Sequence, residues 1–367
     1  MSKTSPLRSA VGRGGRAALR QLPPPARLRL RQVKRAALGQ PPVPTKRAAK
    51  ARPAAAKKPT TPKTPPVAAP RLADPGPRRA EPGSSRLETR RSNIFATAAR
   101  GGRALEIGPA HNAILPKRDG FDTRTVDYLD RAGLVEKYKD FAQYSPDDIE
   151  DVDYVLPPGA AMGDIIEDRF DLVLASHVLE HTTSLIDFVN ECARLLRPGG
   201  VLALVVPDHR FCFDRFRERS SIGRVIDASI DPKSVHTVGT LTEFGLNAVR
   251  HRGVTSWAPN HSGKYSLAHD MDFVRSKAAS ATSGSYVDVH HWIFSPHHLR
   301  LLLHDLFELD YITLREAHFH DTIGHEFFLN LTVESTGSGL SRTELMSLAD
   351  EELRTMDVPE WEPADAT

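Results

Sequence analysis

Four consecutive pieces decide the fold: Phe170-Asp-Leu-Val-Leu-Ala-Ser-His177, then Leu185, Val189, Cys192 and Leu196 at helical spacing, then Arg197-Pro-Gly-Gly200, then Val201-Leu-Ala-Leu-Val-Val206. The two outer pieces are short, continuously apolar runs, as expected of strands covered on both faces. Between them lies one amphipathic helix, and Pro-Gly-Gly stops it. A strand, a helix and a strand in this order place the two strands parallel. Upstream, Arg103-Ala-Leu-Glu-Ile-Gly108, Thr123 to Tyr128 with Asp127 near its end, and Val152 to Leu156 closed by Pro157-Pro158-Gly159 read as three more strands. Five strands in succession, each followed by a turn or helix, predict an α/β fold with a parallel sheet and a ligand at its carboxyl ends.

Beyond Pro207-Asp208 the alternation is lost. Residues 209–286 open with Phe211, Phe213 and Phe216 and read as an inserted helical cap, with helices near 217–230, 238–251 and 267–279. The sheet pattern resumes with a strand at Val287 to Phe294, a helix at Pro296 to Phe307, and two runs, Tyr311 to His318 and Glu326 to Val333. Those two runs are close enough in sequence to pair antiparallel. An acidic helix is expected over Ser341 to Met356. The resulting division is a tail over 1–90, a main domain over 91–335 with the cap at 209–286, and an acidic C-terminal extension over 336–367.

The 367 residues carry 49 Lys and Arg against 46 Asp and Glu, but the balance is uneven. Residues 1–90 hold 22 of the basic residues, three acids and 16 of the 28 prolines, a net charge of +19 that leaves −16 for the rest. Such a segment buries too little apolar surface to offset chain entropy, so a disordered basic tail is expected. It is either a weak contact for polyanions or a solvated segment. Two cysteines, Cys192 and Cys212, make no disulfide framework and no zinc spacing, which points to a reducing, cytoplasmic setting. No apolar run reaches the ~18 to 20 residues that span a bilayer.

The first strand carries Glu106 and turns at Gly108, and an acid, Asp127, follows 19 positions on. Glycine lets backbone approach a ligand, and a carboxylate at the next strand end can accept both ribose hydroxyls. The alternative for Asp127 is capping of the helix that begins near Leu129. The loop Gly108-Pro-Ala-His-Asn112 is not GxGxxG, so a phosphate-free nucleoside is favoured over a dinucleotide.

Leu105-Glu-Ile-Gly-Pro109, Val126-Asp127, Phe170 through His181 and Leu195-Leu-Arg-Pro-Gly-Gly-Val-Leu202 together resemble the class I S-adenosylmethionine-dependent methyltransferases. More narrowly, they are similar to bacterial methyltransferase-domain proteins associated with glycosyltransferases. The resemblance implies a Rossmann-like seven-stranded sheet with its last strand antiparallel, and S-adenosyl-L-methionine as cofactor. It further implies that Glu106, Gly108, Pro109 and Ala110 line the methionine end, that Asp127 holds the ribose, and that Ser176 and His177 lie under the cofactor.

Methyl transfer to a hydroxyl needs alignment and removal of a proton. Histidine is the natural base near neutral pH. His181, Asp208 and His290 are the catalytic candidates, with Asp288 on the same face of an extended run as His290. Arg210, Arg215 and Arg217 are candidates for recognising an anionic or sugar substrate. A metal built on Asp208, His290 or His181 is conceivable, but none is expected. The expected activity is O-methylation of a saccharide or small metabolite. A nucleic-acid methyltransferase using the tail and a non-catalytic binding scaffold are the alternatives.

Overall fold

The structure, a computed structural model, describes residues 86–140, 145–157, 160–257, 264–282, 284 and 286–362. Residues 1–85, which make up most of the expected tail, lie outside them. The boundary expected at residue 90 falls inside the first described helix, α1 (Arg86–Ile94). Its Arg90, Arg91, Asn93 and Ile94 are buried, so the end of the basic stretch belongs to the folded body.

The main sheet is built from β1 (Ala104–Ile107), β2 (Thr123–Asp127), β3 (Tyr154–Val155), β4 (Phe170–Ser176), β5 (Leu196–Pro207), β9 (Arg315–Ile323) and β10 (Glu326–Thr332), the labels β6 to β8 being kept for a second sheet. Its order is β3-β2-β1-β4-β5-β10-β9. The first five strands run parallel, and β10 lies antiparallel to both β5 and β9. Chain order reverses between β1 and β4, and the carboxyl ends of such a pair open the crevice in which α/β sheets bind ligands. Gly108 and Ser176-His177 lie at these two strand ends.

Alternation along the strands supplies two cores. Val173, Ala175, Leu202 and Leu204 face one side and pack with Leu185, Val189, Cys192 and Leu195 of α4 (Leu185–Leu195) and with Leu299, Leu302 and Leu306 of α8 (Pro296–Glu308). Leu172, Leu174, Val201, Ala203 and Val205 face the other side and meet Ile94 of α1. Ser184 caps α4 by accepting from the Asp187 amide. The short α2 (Arg131–Tyr138) and α3 (Met162–Ile165) lie between the early strands.

The cap differs from the all-helical expectation. It contains α5 (Ile222–Ile230), α6 (Val238–Asn247) and α7 (Met271–Thr282), but also β6 (Val249–His251), β7 (Val254–Thr255) and β8 (Lys264–Leu267). These three strands join β11 (Glu360–Trp361) in a four-stranded sheet ordered β11-β8-β6-β7. The C-terminal extension is therefore part of the fold: β11 completes the cap sheet, and α9 (Arg342–Arg354) packs on α8, with Glu352 accepting from Ser295 Oγ at 2.6 Å and from the His297 amide at 2.7 Å.

The expected strand at Val287 to Phe294 is not one. Its amides serve other partners: those of His291 and Trp292 donate to the Glu180 carbonyl, and that of Ile293 donates to Ser220 Oγ. This segment, buried from Val289 to Phe294, ties the cap to the end of β4 and brings Asp288 and His290 to the crevice. Among the described residues, no helix is long and apolar enough to cross a membrane.

Candidate active site

A cavity of about 330 Å³ opens at the β1/β4 reversal. One side is backbone. Gly108 has φ +59°, a left-handed conformation that glycine adopts without penalty, and its amide bonds the Val126 carbonyl at 2.8 Å. Ala110 and His177 also have positive φ, 46° and 54°. Non-glycine residues in that region are uncommon and cluster at ligand sites. Pro109, Ala110, His111 and Asn112 line this side, with Lys137 and Tyr138. The His111 and Tyr138 rings meet edge to face, with centroids 4.6 Å apart.

Glu106 lies beneath this loop. Its Oε1 accepts from the Ile114 amide at 2.8 Å and its Oε2 from the Leu115 amide at 3.0 Å, so the carboxylate pins the loop from below. Burial pushes its pKa up to about 7 against the opposing pull of the two amides. Asp127 sits at the end of β2, nine-tenths buried, and is not among the residues that line the cavity. Its Oδ1 accepts from the Tyr128 amide at 2.8 Å. Burial raises its pKa, and the Tyr128 amide and Lys137 resist that shift.

The opposite wall is rich in histidine. Ser176, His177, His181 and His290 all line the cavity, together with Phe213 and Trp257 from the cap. Each imidazole has a carboxylate on one nitrogen. His177 Nε2 lies 2.9 Å from Glu326 Oε2, His181 Nδ1 lies 2.8 Å from Asp288 Oδ1, and His290 Nδ1 contacts Asp214 Oδ2. Asp288 therefore pairs with His181 and not with His290, its sequence neighbour on the same face. Burial alone would lower the His181 pKa, but Asp288, Glu180 and Asp214 outweigh it and push it up to about 9. Asp214 is held well below the usual carboxyl range: burial opposes this, and His290 and Arg217 prevail.

Asp208 does not reach the cavity. It is fully buried, both its carboxylate oxygens lie 3.0 Å from Arg210 Nε, and Thr322 Oγ1 donates to it at 2.6 Å. A carboxylate so engaged caps a turn and has no acceptor to reach, which corrects the expectation of a catalytic role. The arginines are likewise used internally. Arg210 holds Asp208, Arg215 donates to the Arg210 and Asp357 carbonyls, and Arg217 binds Asp214 and the His290 carbonyl.

Two residues at the site were not anticipated. Asp214 ends the run Pro207-Asp-His-Arg-Phe-Cys-Phe-Asp214, and nothing in the sequence distinguishes it from Asp208. Glu180 is fully buried on a 3-10 turn over Leu179–His181, and its carboxylate points among the imidazoles. Its signal was the compact order His177-Val-Leu-Glu-His181.

A seven-stranded sheet whose one antiparallel strand, β10, lies between β5 and the edge strand β9, with a cleft at the reversal point, is the class I methyltransferase architecture. The chain belongs to the methyltransferase-domain family, whose model matches residues 79–306, and it is an S-adenosylmethionine-dependent methyltransferase. Among solved structures it is similar to the CcbJ methyltransferase from Streptomyces caelestis, at 15% identity and a TM-score of 0.36, covering 68% of this chain and 98% of that one. It is also similar to an S-adenosylmethionine-dependent methyltransferase from Clostridium acetobutylicum, at 9% identity and a TM-score of 0.34, covering 68% and 90%. The glycopeptide N-methyltransferase MtfA matches at 11% identity and a TM-score of 0.33, covering 67% and 89%. At these scores none of the three carries an argument about substrate. No curated protein matches the chain.

Proposed function

We propose that this methyltransferase acts on an oxygen of a saccharide or small metabolite. One observation carries the reading: a single cavity joins the backbone cradle of residues 108–112 to a wall of carboxylate-tethered imidazoles. The cradle suits S-adenosyl-L-methionine. Gly108 and Ala110 already hold the left-handed conformations that bring backbone to a ligand, and Asp127, set behind the cavity lining, ends the adjoining strand β2. When bound, the cofactor supplies a methyl group already activated by the sulfonium charge. The chain's own work is to align the acceptor and to ease loss of its proton.

The alignment falls to His181 and His290; His181, its pKa raised to about 9, holds its own proton near neutral pH and orients the acceptor rather than acting as its base. Asp214 holds the Nδ1 of His290, an Asp288 oxygen stands 2.8 Å from the Nδ1 of His181, and Phe213 and Trp257 form an apolar flank. A hydroxyl-bearing acceptor uses such a wall, since its proton must leave as the methyl group arrives. Nucleic acid is a poorer fit to a body, residues 86–367, of net charge −15, and the basic residues 1–85 are read as a separate, weak contact for polyanions.

Calorimetry of the full chain with S-adenosylhomocysteine tests the reading. Binding is expected, and Asp127→Ala should weaken it by roughly tenfold or more for each charge-assisted hydrogen bond removed. An unchanged affinity removes Asp127 from the site. Absence of binding by the parent protein at millimolar ligand would leave the scaffold alternative standing. A methyl-transfer screen of sugars, small hydroxylated metabolites and nucleic acids then identifies the acceptor class.

A further inference from the structure

Among the described residues, Glu180 is a buried carboxyl group that the mechanism above does not use. It is fully buried, and neither carboxylate oxygen has a hydrogen-bond partner among the described residues. Its own backbone carbonyl is well satisfied by the His291 and Trp292 amides, so the fold holds this residue firmly while leaving its carboxyl oxygens without a hydrogen-bond partner. A buried carboxylate in that condition is costly unless a cation or donors meet it. Three imidazole nitrogens stand near it at separations too long for hydrogen bonds: His177 Nδ1 at 3.7 Å, His181 Nε2 at 3.8 Å and His290 Nε2 at 3.9 Å from Oε1.

These separations suit ligands of a common ion better than partners of one another. Donor atoms around a tetrahedral ion at about 2.1 Å stand roughly 3.4 Å apart, about 0.5 Å closer than the Glu180–His181 and Glu180–His290 separations of 3.8 and 3.9 Å. Their ligating atoms already lie within 4.8 Å of one another. The rings are also set for it. Carboxylates that hold the far nitrogen of a metal-bound histidine fix its tautomer and orientation. Asp214 holds that position on His290, and an Asp288 oxygen stands 2.8 Å from His181 Nδ1.

We propose that Glu180, His181 and His290 bind a divalent first-row transition ion of the zinc type at the floor of the cavity. Two imidazoles and one carboxylate select such ions over Mg2+ or Ca2+, which favour all-oxygen shells. Three protein ligands leave a coordination position toward the cavity, as in sites where an ion meets a substrate oxygen. The acceptor hydroxyl is the ligand that fits there, and this last point rests on the O-methylation reading above. The sequence order His-x-x-Glu-His supplies two of the three ligands from one short turn, and the buried segment 287–294 supplies the third.

The full-length protein, stripped with a chelator and titrated with Co2+, tests the site by a readout independent of catalysis. One Co2+ per chain is expected after dialysis, with visible d–d absorption typical of a low-coordinate N/O site, displaced by Zn2+. Both Glu180→Gln and His181→Ala should lose the absorption and at least tenfold in Co2+ affinity. His181 is the less buried of the two, so it decides the matter if the Glu180 variant fails to fold. No retained Co2+, or retention unchanged in both folded variants, overturns the proposal. Binding of S-adenosylhomocysteine by the stripped protein is measured alongside. Its loss would count against the donor site while leaving the Co2+ result to stand on its own.

Discussion

Glu106 shows what a single residue reveals and what it hides. A carboxylate inside the apolar strand Ala104–Ile107 announces a partner, and the sequence supports that much. The partner turns out to be the chain itself, through the Ile114 and Leu115 amides, which no spacing rule discloses. Glu106→Gln turns a donor toward one of those amides. The variant should lose about 1 to 3 kcal/mol of stability in urea unfolding and bind S-adenosylhomocysteine more weakly, because the cradle above it is no longer pinned. Stability and affinity both equal to those of the parent would detach the loop from this carboxylate. The sign of the pH dependence follows from the raised pKa. The folded state holds the Glu106 proton up to about 7, against an ordinary value of 4.5, so this group's contribution declines as pH rises through that window. The stability gap between parent and Gln variant should therefore shift in the variant's favour between pH 4.5 and 7. Glu180, by contrast, sits on a 3-10 turn with no periodicity to mark its direction, and Asp208 and Asp214 differ only in what the folded chain places beside them.

At the scale of elements, composition misplaced the start of the body. The charge run extends to residue 90, yet α1 turns Arg86 and Arg90 inward onto Glu326 at the start of β10. Arg90 Nε donates to its Oε1 at 2.7 Å, and Arg86 Nε donates to the same oxygen at 3.2 Å. A count of charges cannot tell a solvated arginine from one that meets a buried carboxylate across more than 230 residues. Glu326 also receives His177, so α1 supports the histidine wall from behind. Burial opposes ionisation of Glu326, but Arg90 and His177 hold its pKa well below the usual carboxyl range. The stability it supplies is complete above the ordinary carboxyl pKa and fades only as pH falls through the depressed value. Arg90→Ala leaves that carboxylate underpaired and should cost on the order of 3 kcal/mol at neutral pH. The acid-unfolding midpoint should move to higher pH as well. Circular dichroism across an acid titration reads both effects, and a variant that unfolds like the parent would mean that α1 is not held through Glu326.

At the scale of the whole molecule, five parallel strands and their ligand crevice were legible because covered strands and their helix stops leave a periodic record. The cap sheet was not, since its strands are two to four residues long and one of them, β11, comes from the far end of the chain. The same nonlocality makes residues 336–362 part of the body and not an appendage. Leu345 and Ala349 of α9 are buried, Arg219 donates to the Ala349 carbonyl at 2.7 Å, and Glu352 satisfies Ser295 and His297 at the start of α8. Burial of Leu345 alone contributes about 1.5 to 3 kcal/mol, and removal of Glu352 leaves a buried hydroxyl and an amide without their acceptor. A chain ending at residue 335 should therefore lose at least about 3 kcal/mol, seen as a lowered melting temperature and a lower urea midpoint. Because α8 feeds directly from the segment carrying Asp288 and His290, affinity for S-adenosylhomocysteine should fall with it. A truncated chain that melts with the parent would show that the cap and α8 stand without their C-terminal partner.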